Sequence, residues 1–502
     1  MTAFPAAPPV VEPVPEWGRL DPRMIVVKPL NELIGLLPLL FALVFLGNVE
    51  TWRVVVGVGT VALIILYGLF AWLTTKYRIT DAQVELHTGV VFRQRRAIPR
   101  DRIRTVDLTA KLGHRLFGLS AVRVGTGQQE RQAGEGVVLD AVTTAEAERL
   151  RQVFLHRPTT AATSTDGAEE PAAVEITRLD RRWYRYAPLS LSGLLGIAIA
   201  VGFGMNLAGE LNLRFSEVDV IRGLFGWLSG QSPALVVLIA AVVVVLLSTV
   251  ASLLTYLLQN HDFRLTRHAD ATVRVRRGLL TTRSVSIEEQ RLRGVALHEP
   301  LLLRAARGAR LNAVTTGLGL RQAASSLLVP PAPRAESHRV AAAVIGENPT
   351  SAPLTRHPVA ARRRRLVRAV AVPVVLTAAL ALLSAFADWP AGLWIGAAAL
   401  IPLSVLIGLD RYRNLGHALT GRYLVSRSGS FTRRTVALQR TGIIGWRVEQ
   451  SPFQRRARLV TLTATTAAGH GQYAVTDIGE SDGVRLADAA VPDLLTPFLI
   501  RE

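Results

Sequence analysis

Six apolar runs, grouped in three pairs, constrain this chain more than any other feature. They cover residues 33–46, 54–73, 189–207, 234–258, 369–387 and 392–409. A helix needs about 20 mostly apolar residues to cross about 30 Å of hydrocarbon. All but the first run have about 18 or more. The first can extend back through Pro29 and Leu30, and Pro38 can kink it. Buried helices of soluble proteins rarely run this long without a charge, so six membrane spans are expected. The Pro-rich start (Pro5, Pro8, Pro9, Pro13, Pro15) carries no cleavage signature and reads as a disordered tail over 1–28, not as a signal peptide.

A net charge of +20 beside a 49% apolar share requires charge and hydrophobicity to be segregated along the chain. The connections inside pairs are short and poor in charge, 47–53 and 388–391, with a longer one at 208–233. Only Arg53, Arg214 and Arg222 fall there, leaving 55 of the 58 basic residues (58 − 3) elsewhere. Arg181, Arg182 and Arg185, Arg362 to Arg365, and Arg411 and Arg413 flank the spans. The positive-inside rule places both termini and the long segments in the cytoplasm, with Arg362, Arg363, Arg364 and Arg365 as topology determinants. Only Lys28, Lys76 and Lys111 are lysine, and there is no cysteine, which excludes disulfides and thiolate metal sites.

The long segments repeat. Aligned without gaps at offsets of 189 (287 − 98) and 340 (438 − 98), Ile98 matches Ile287 and Leu438. Ile103 then matches Leu292 and Ile443, Val106 matches Val295 and Trp446, and Leu108 matches Leu297 and Val448. Val122 matches Leu311 and Leu462, and Thr126 matches Thr315 and Thr466. Short Val, Ile and Thr runs between Gly, Pro, Asp and Ser predict strands. Gly89 suits a tight turn with positive φ. A closing helix follows each set, capped in the first by Thr143 with Glu146. In the third, Pro492 should end it.

The run Tyr77-Arg78-Ile79-Thr80, then Gly89, Ile98-Pro99, Arg102-Ile103, Val106 and Leu116-Phe117-Gly118-Leu119, resembles the bacterial pleckstrin-homology-like (PH-like) membrane family, in its multi-copy, YdbT-like form. The resemblance covers nearly the whole chain and is strongest in the first repeat. Glu288 and Gln439 replace Pro99, and Arg304, Ala305 and Ala306 stand at Arg115, Leu116 and Phe117. It implies a partly open, two-sheet β-barrel or sandwich of about seven strands with a C-terminal helix, and no catalytic activity.

No P-loop, H-E-x-x-H or G-x-S-x-G occurs. The scattered histidines, among them His114, His261 and His298, read as surface or turn residues, not metal ligands. The cores of spans two to six hold no ionisable residue, which disfavours ion transport. The stretch RQRRAIPRDRIR offers a candidate basic interaction surface: Arg93, Arg95, Arg96, Arg100, Arg102 and Arg104. It lacks stacking aromatics or a reading helix, so nucleic acid is not expected.

The chain is thus expected to be an α-helical membrane protein with β-domains. A tail at 1–28 precedes a membrane pair at 29–75 and a PH-like domain at 76–157. A linker (158–180), a pair (181–258) and a domain (259–347) follow. Then come a linker (348–361), a pair (362–409) and a domain (410–502). The loop 208–233 can hold an amphipathic interfacial helix. The expected setting is a bacterial inner membrane. No enzyme activity, cofactor or metal is expected. The expected role is binding or scaffolding, with membrane lipids and a protein partner, and with the three domains packing on one another. Transport or lipid handling is the alternative.

Overall fold

The computed structural model describes residues 17–45, 51–80, 82–89, 93–103, 105–125, 137–155, 173–190, 219–316, 325–387, 389–492 and a few isolated positions between 193 and 205 and at 494. Arg104, Thr126 and about half of the third apolar run lie outside them. The chain forms two compact units. The first is 1–165 with 202–230 and 280–284, and the second is the remainder.

In the first unit, helices Met24–Phe45 and Thr51–Thr74 precede a β-domain. Strands Lys76–Ile79, Gln83–Thr88 and Gln94–Pro99 pair antiparallel. A second sheet holds Thr105–Ala110, Leu119–Gly125 and Val137–Thr143. Val84, Leu86 and Ile98 from one sheet and Val106, Val122, Val124 and Leu139 from the other share one core. Period-two alternation makes this possible, because every second side chain points inward. Helix Thr144–Leu155 adds Ala147, Leu150 and Phe154 to it. Its first turn is held by Thr143 Oγ1, which accepts from Glu146 N at 3.2 Å.

Apart from residues 282–284, the second unit contains the plan twice. Strands Arg264–Arg267, Thr272–Arg277, Thr282–Glu288, Leu292–Pro300, Gly308–Thr315 and Leu327–Pro333 lead into helix Arg334–Ile345. Strands Gly416–Leu419, Tyr423–Ser428, Thr432–Gln439, Ile443–Glu449, Leu459–Thr466 and Gln472–Gly479 lead into helix Glu480–Ala490. That helix ends two residues before Pro492, as expected. The gapless alignment holds in the ladders: Leu108 faces Val122, Leu297 faces Leu311, and Val448 faces Leu462. Gly89, Gly278 and Gly429 all take positive φ (126°, 109° and 104°) at the matching turn.

Six strands, not seven, follow each membrane pair among the described residues. In the first two domains a seventh comes from chain that precedes the pair, and in the third an isolated bridge takes its place. Gly18–Arg19 pairs with Tyr77 and Lys76, Val174–Arg178 pairs with Arg264–Arg267, and Thr355 bridges to His417. Three boundaries need correction accordingly. Residues 17–28, expected as the end of a disordered tail, form this strand and the start of a helix, with Leu20, Met24 and Val27 buried. The linker 158–180 ends in strand Val174–Arg178, and residues 349–357 of the linker 348–361 pack with Thr350 and His357 buried. These segments are short and lie beside Pro-rich or low-complexity chain, and each buries its face only against a domain that lies two helices further on.

Four helices among the described residues are long and apolar enough to cross a membrane: Val55–Thr74, Pro233–Asn260, Val359–Phe386 and Ala391–Arg413. Helix Met24–Phe45 occupies the first expected span. Helix Asp219–Ser229 forms in the loop between the second pair, with Trp227 exposed.

The second and third domains are joined through their backbones. Strand Leu292–Pro300 pairs antiparallel with Thr432–Gln439, from Gly294 opposite Leu438 to Pro300 opposite Thr432. This makes one six-stranded sheet. Val295 and Leu297 enter the second domain's core, while the intervening Ala296 enters the third's.

Candidate functional site

In the first and third domains the polar chemistry concentrates where the β-domain meets its membrane helices. The last strand of every domain carries a bulge: register shifts occur between Ser120 and Val122, Ala309 and Leu311, and Val460 and Leu462. A bulge removes a residue from the ladder and leaves its backbone groups seeking partners. In each domain the tether supplies one. Ala141 O accepts from Asp21 N at 3.2 Å, Pro331 O from the Tyr256 hydroxyl at 2.8 Å, and Asp477 O from His357 Nδ1 at 3.0 Å.

The third junction is the most elaborate. Asp477 sits in its bulge at φ 60°, with its side chain fully buried. Its carboxylate accepts from Arg364, from Arg365 Nε at 2.6 Å and from Gln454 Nε2 at 3.0 Å. Its carbonyl can only accept, so His357 Nδ1 carries the proton. His357 Nε2 is then the acceptor for His417 Nδ1, 3.1 Å away. Burial pushes the His417 imidazole down to about 4, helped by the neighbouring His357 ring. His357 is lowered too, chiefly by burial.

The first junction is a smaller version. His114 stands where the third repeat has Gln454 (114 + 340), on the matching short helix. Its Nε2 meets Asp140 Oδ1 at 3.0 Å, and its Nδ1 meets Asn31 Nδ2 at 3.0 Å. Burial pushes the Asp140 carboxyl up, but the His114 hydrogen bond and the nearby charges of His114, Lys28 and Lys111 leave it lowered. In the second repeat the same position is Leu303 (114 + 189), and that junction is apolar. Leu303 and Tyr186 close over Gly308, Trp183 lies against Phe263, and Tyr184 meets Tyr256 edge-on.

The expected basic surface divides. Arg93, Arg95 and Arg102 are exposed, and Arg96 donates to Gln94 Oε1 at 3.0 Å. Arg100 instead donates to Val153 O at 2.6 Å, capping the last turn of the closing helix, where a cation also suits the helix dipole. Its counterpart Arg440 does the same to Ala489 O (2.6 Å) and Ala490 O (2.7 Å). In the second repeat Glu289 takes that position and holds Arg267, which caps Ala343 and Val344. Of the topology arginines, Arg362 and Arg363 point outward while Arg364 and Arg365 hold Asp477. His114, read as a surface or turn residue, is buried; nothing local announced Asn31 and Asp140 as its partners. No cluster of three metal-ligating side chains occurs among the described residues.

Three six-stranded domains, each following a long apolar helix and ending in a closing helix, match one family description three times over. The family model Bacterial PH domain matches residues 33–157, 217–347 and 366–493, well over half of the chain. The chain belongs to the bacterial PH domain family. A curated relative, the UPF0699 transmembrane protein YdbT of Bacillus subtilis (strain 168), is 22% identical over 490 residues, covering 93% of this chain and 96% of the relative. No solved structure matches. The protein is therefore a membrane protein with three bacterial PH domains, and the junctions are where those domains grip their helices.

Proposed function

We propose that the protein is a non-enzymatic scaffold of the bacterial inner membrane. In this reading six helices span the bilayer and hold three PH domains at the cytoplasmic face. The arginine distribution supports that side. The observation that carries the reading is the ladder between Leu292–Pro300 and Thr432–Gln439, which fixes two domains as one platform. A platform of this kind suits presentation of a surface more than a moving catalytic or transport cycle.

The place for a protein partner is the strand Ile443–Glu449. It is the third domain's counterpart of Leu292–Pro300, but among the described residues it pairs only with Leu459–Thr466. Gly294 lies so close to the neighbouring strand that a Cβ would come 2.0 Å from Ala437 O. Its equivalent Gly445 (294 + 151) has nothing within 4 Å. Ile444 and Val448 are exposed beside it. An extended partner strand adding here would repeat the internal ladder.

Reporter fusions in the 158–173 segment and at residue 215 should report opposite sides of the membrane; the same side for both would defeat the six-span reading. Photo-crosslinking in cells from positions 444, 448 and 93 should capture a discrete protein from the first two. Background labelling at all three would remove the scaffold role.

A further inference from the structure

We infer that a cleft between helix Val359–Phe386 and the short helix Pro452–Arg456 binds an anionic phospholipid by its headgroup. The inference rests on the membrane placement of the first of these helices and on no protein partner. The cleft has a volume of roughly 990 Å³. Four arginines line it: Arg363, Arg364, Arg368 and Arg456. Arg364 is engaged by Asp477 and Ser451. Arg363, Arg368 and Arg456 are exposed and have no carboxylate partner among the described residues. Three uncompensated guanidinium groups converging on one space form a site for a phosphate, whose oxygens they can bind in paired fashion.

The wall of the cleft decides between a soluble anion and a lipid. Val367 and Ala371 lie on the same helical face as Arg363, at spacings of four. Arg368 is the last charged residue before the apolar stretch 369–386. The cleft therefore straddles the boundary where charge stops and hydrocarbon begins. Phosphate at the arginines would leave an acyl chain lying along Val367 and Ala371 into the bilayer. A free phosphate or a nucleotide would have no use for that wall. The short helix is fixed beside the span by the Asp477 cluster, since Gln454 binds Asp477 and Ser451 receives Arg364. The pocket is thus preformed. Anchored basic residues at a membrane surface each contribute about 1 kcal/mol toward anionic lipid.

The test uses the full-length protein in detergent, with dioleoyl phosphatidylglycerol and dioleoyl phosphatidylcholine as probes, read by native mass spectrometry. Wild type should retain phosphatidylglycerol in preference to phosphatidylcholine. Arg363→Gln, Arg368→Gln and Arg456→Gln together should reduce phosphatidylglycerol retention about tenfold or more. Ala371→Trp should reduce it with every charge kept, and so still probes the cleft if the triple variant unfolds. Removing Arg276, Arg307 and Arg485, exposed elsewhere on the second and third domains, should leave it unchanged. Equal retention of the two lipids, or equal losses from both triple variants, would overturn the inference. So would displacement of the lipid by millimolar inorganic phosphate, which would mark a small-anion site.

Discussion

Arg365 Nε donates to the carboxylate of Asp477 at 2.6 Å, across 112 residues of sequence. One partner opens a membrane helix and the other lies in the bulge of a β-domain, where its side chain is fully buried. The pair tethers the β-domain to the helix. Arg364 and Arg365, expected from the sequence as topology signals, fasten the domain to its helix.

Asp477→Asn tests that tether without disturbing the backbone, because asparagine tolerates the positive φ of 60° at this position. Loss of one partner from a buried pair costs about 3–5 kcal/mol. The third domain should become protease-sensitive in membranes. A variant as resistant as wild type would show that the arginines gain nothing from the carboxylate.

Glu299 and Arg433 make a two-pronged ion pair across the domain ladder, at 2.6 and 2.7 Å, with Glu299 buried. Glu299→Gln alone should destabilise by about 3 kcal/mol, because it leaves the half-buried Arg433 without its counter-charge. Adding Arg433→Met should recover much of that loss. Chemical denaturation of the four species closes the cycle, and strictly additive losses would rule out the coupling.

Gly294→Ala and Gly445→Ala should part company. The first forces a Cβ against Ala437 O and should cost about 1–3 kcal/mol or more, with loss of the ladder. The second meets open space and should change stability by no more than about 0.5 kcal/mol. Thermal unfolding decides, and equal effects would contradict the equivalence of interior and open edge.

Acidification should loosen the third junction. Both His357 and His417 are held below the ordinary imidazole value of 6.5, His417 at about 4. Between those values the unfolded chain binds protons that the folded one does not. The stabilisation is therefore present above about pH 6.5 and is lost as pH falls toward 4. Unfolding midpoints from pH 7 to 4 should fall more steeply in wild type than in His417→Phe. Parallel slopes would dismiss the pair as a source of pH dependence.

Arg100 and Arg95 separate scaffold from surface within one basic stretch. Arg100→Ala removes a helix cap and should cost about 1 kcal/mol. Arg95→Ala, on an exposed side chain, should change stability by no more than about 0.5 kcal/mol. Equal losses would mean that the exposed arginines carry structural contacts after all.

The legible part of this protein is the part written in short-range patterns. Apolar runs such as 234–258 declare a long helix because only length and composition matter there. The strands around Ile98, Ile287 and Leu438 could be aligned without gaps because burial repeats at period two. Gly89 and its counterparts followed from a turn that needs positive φ. What tertiary structure alone decided lies between distant residues. The seventh strand of the first two domains, and the Thr355 bridge of the third, come from before the helices. His114 and Gln454 share a role that neither their chemistry nor their neighbours suggest, because the acid each meets arrives from a bulge in another strand. Arg100 turned from surface to cap because its partner is the end of a helix 53 residues on. Hydrogen bonds and ion pairs act only at contact distance, so they leave a trace in sequence only where the partners are near in the chain. Burial and periodicity act on every residue of an element, and that is why the elements could be read while their fastenings could not.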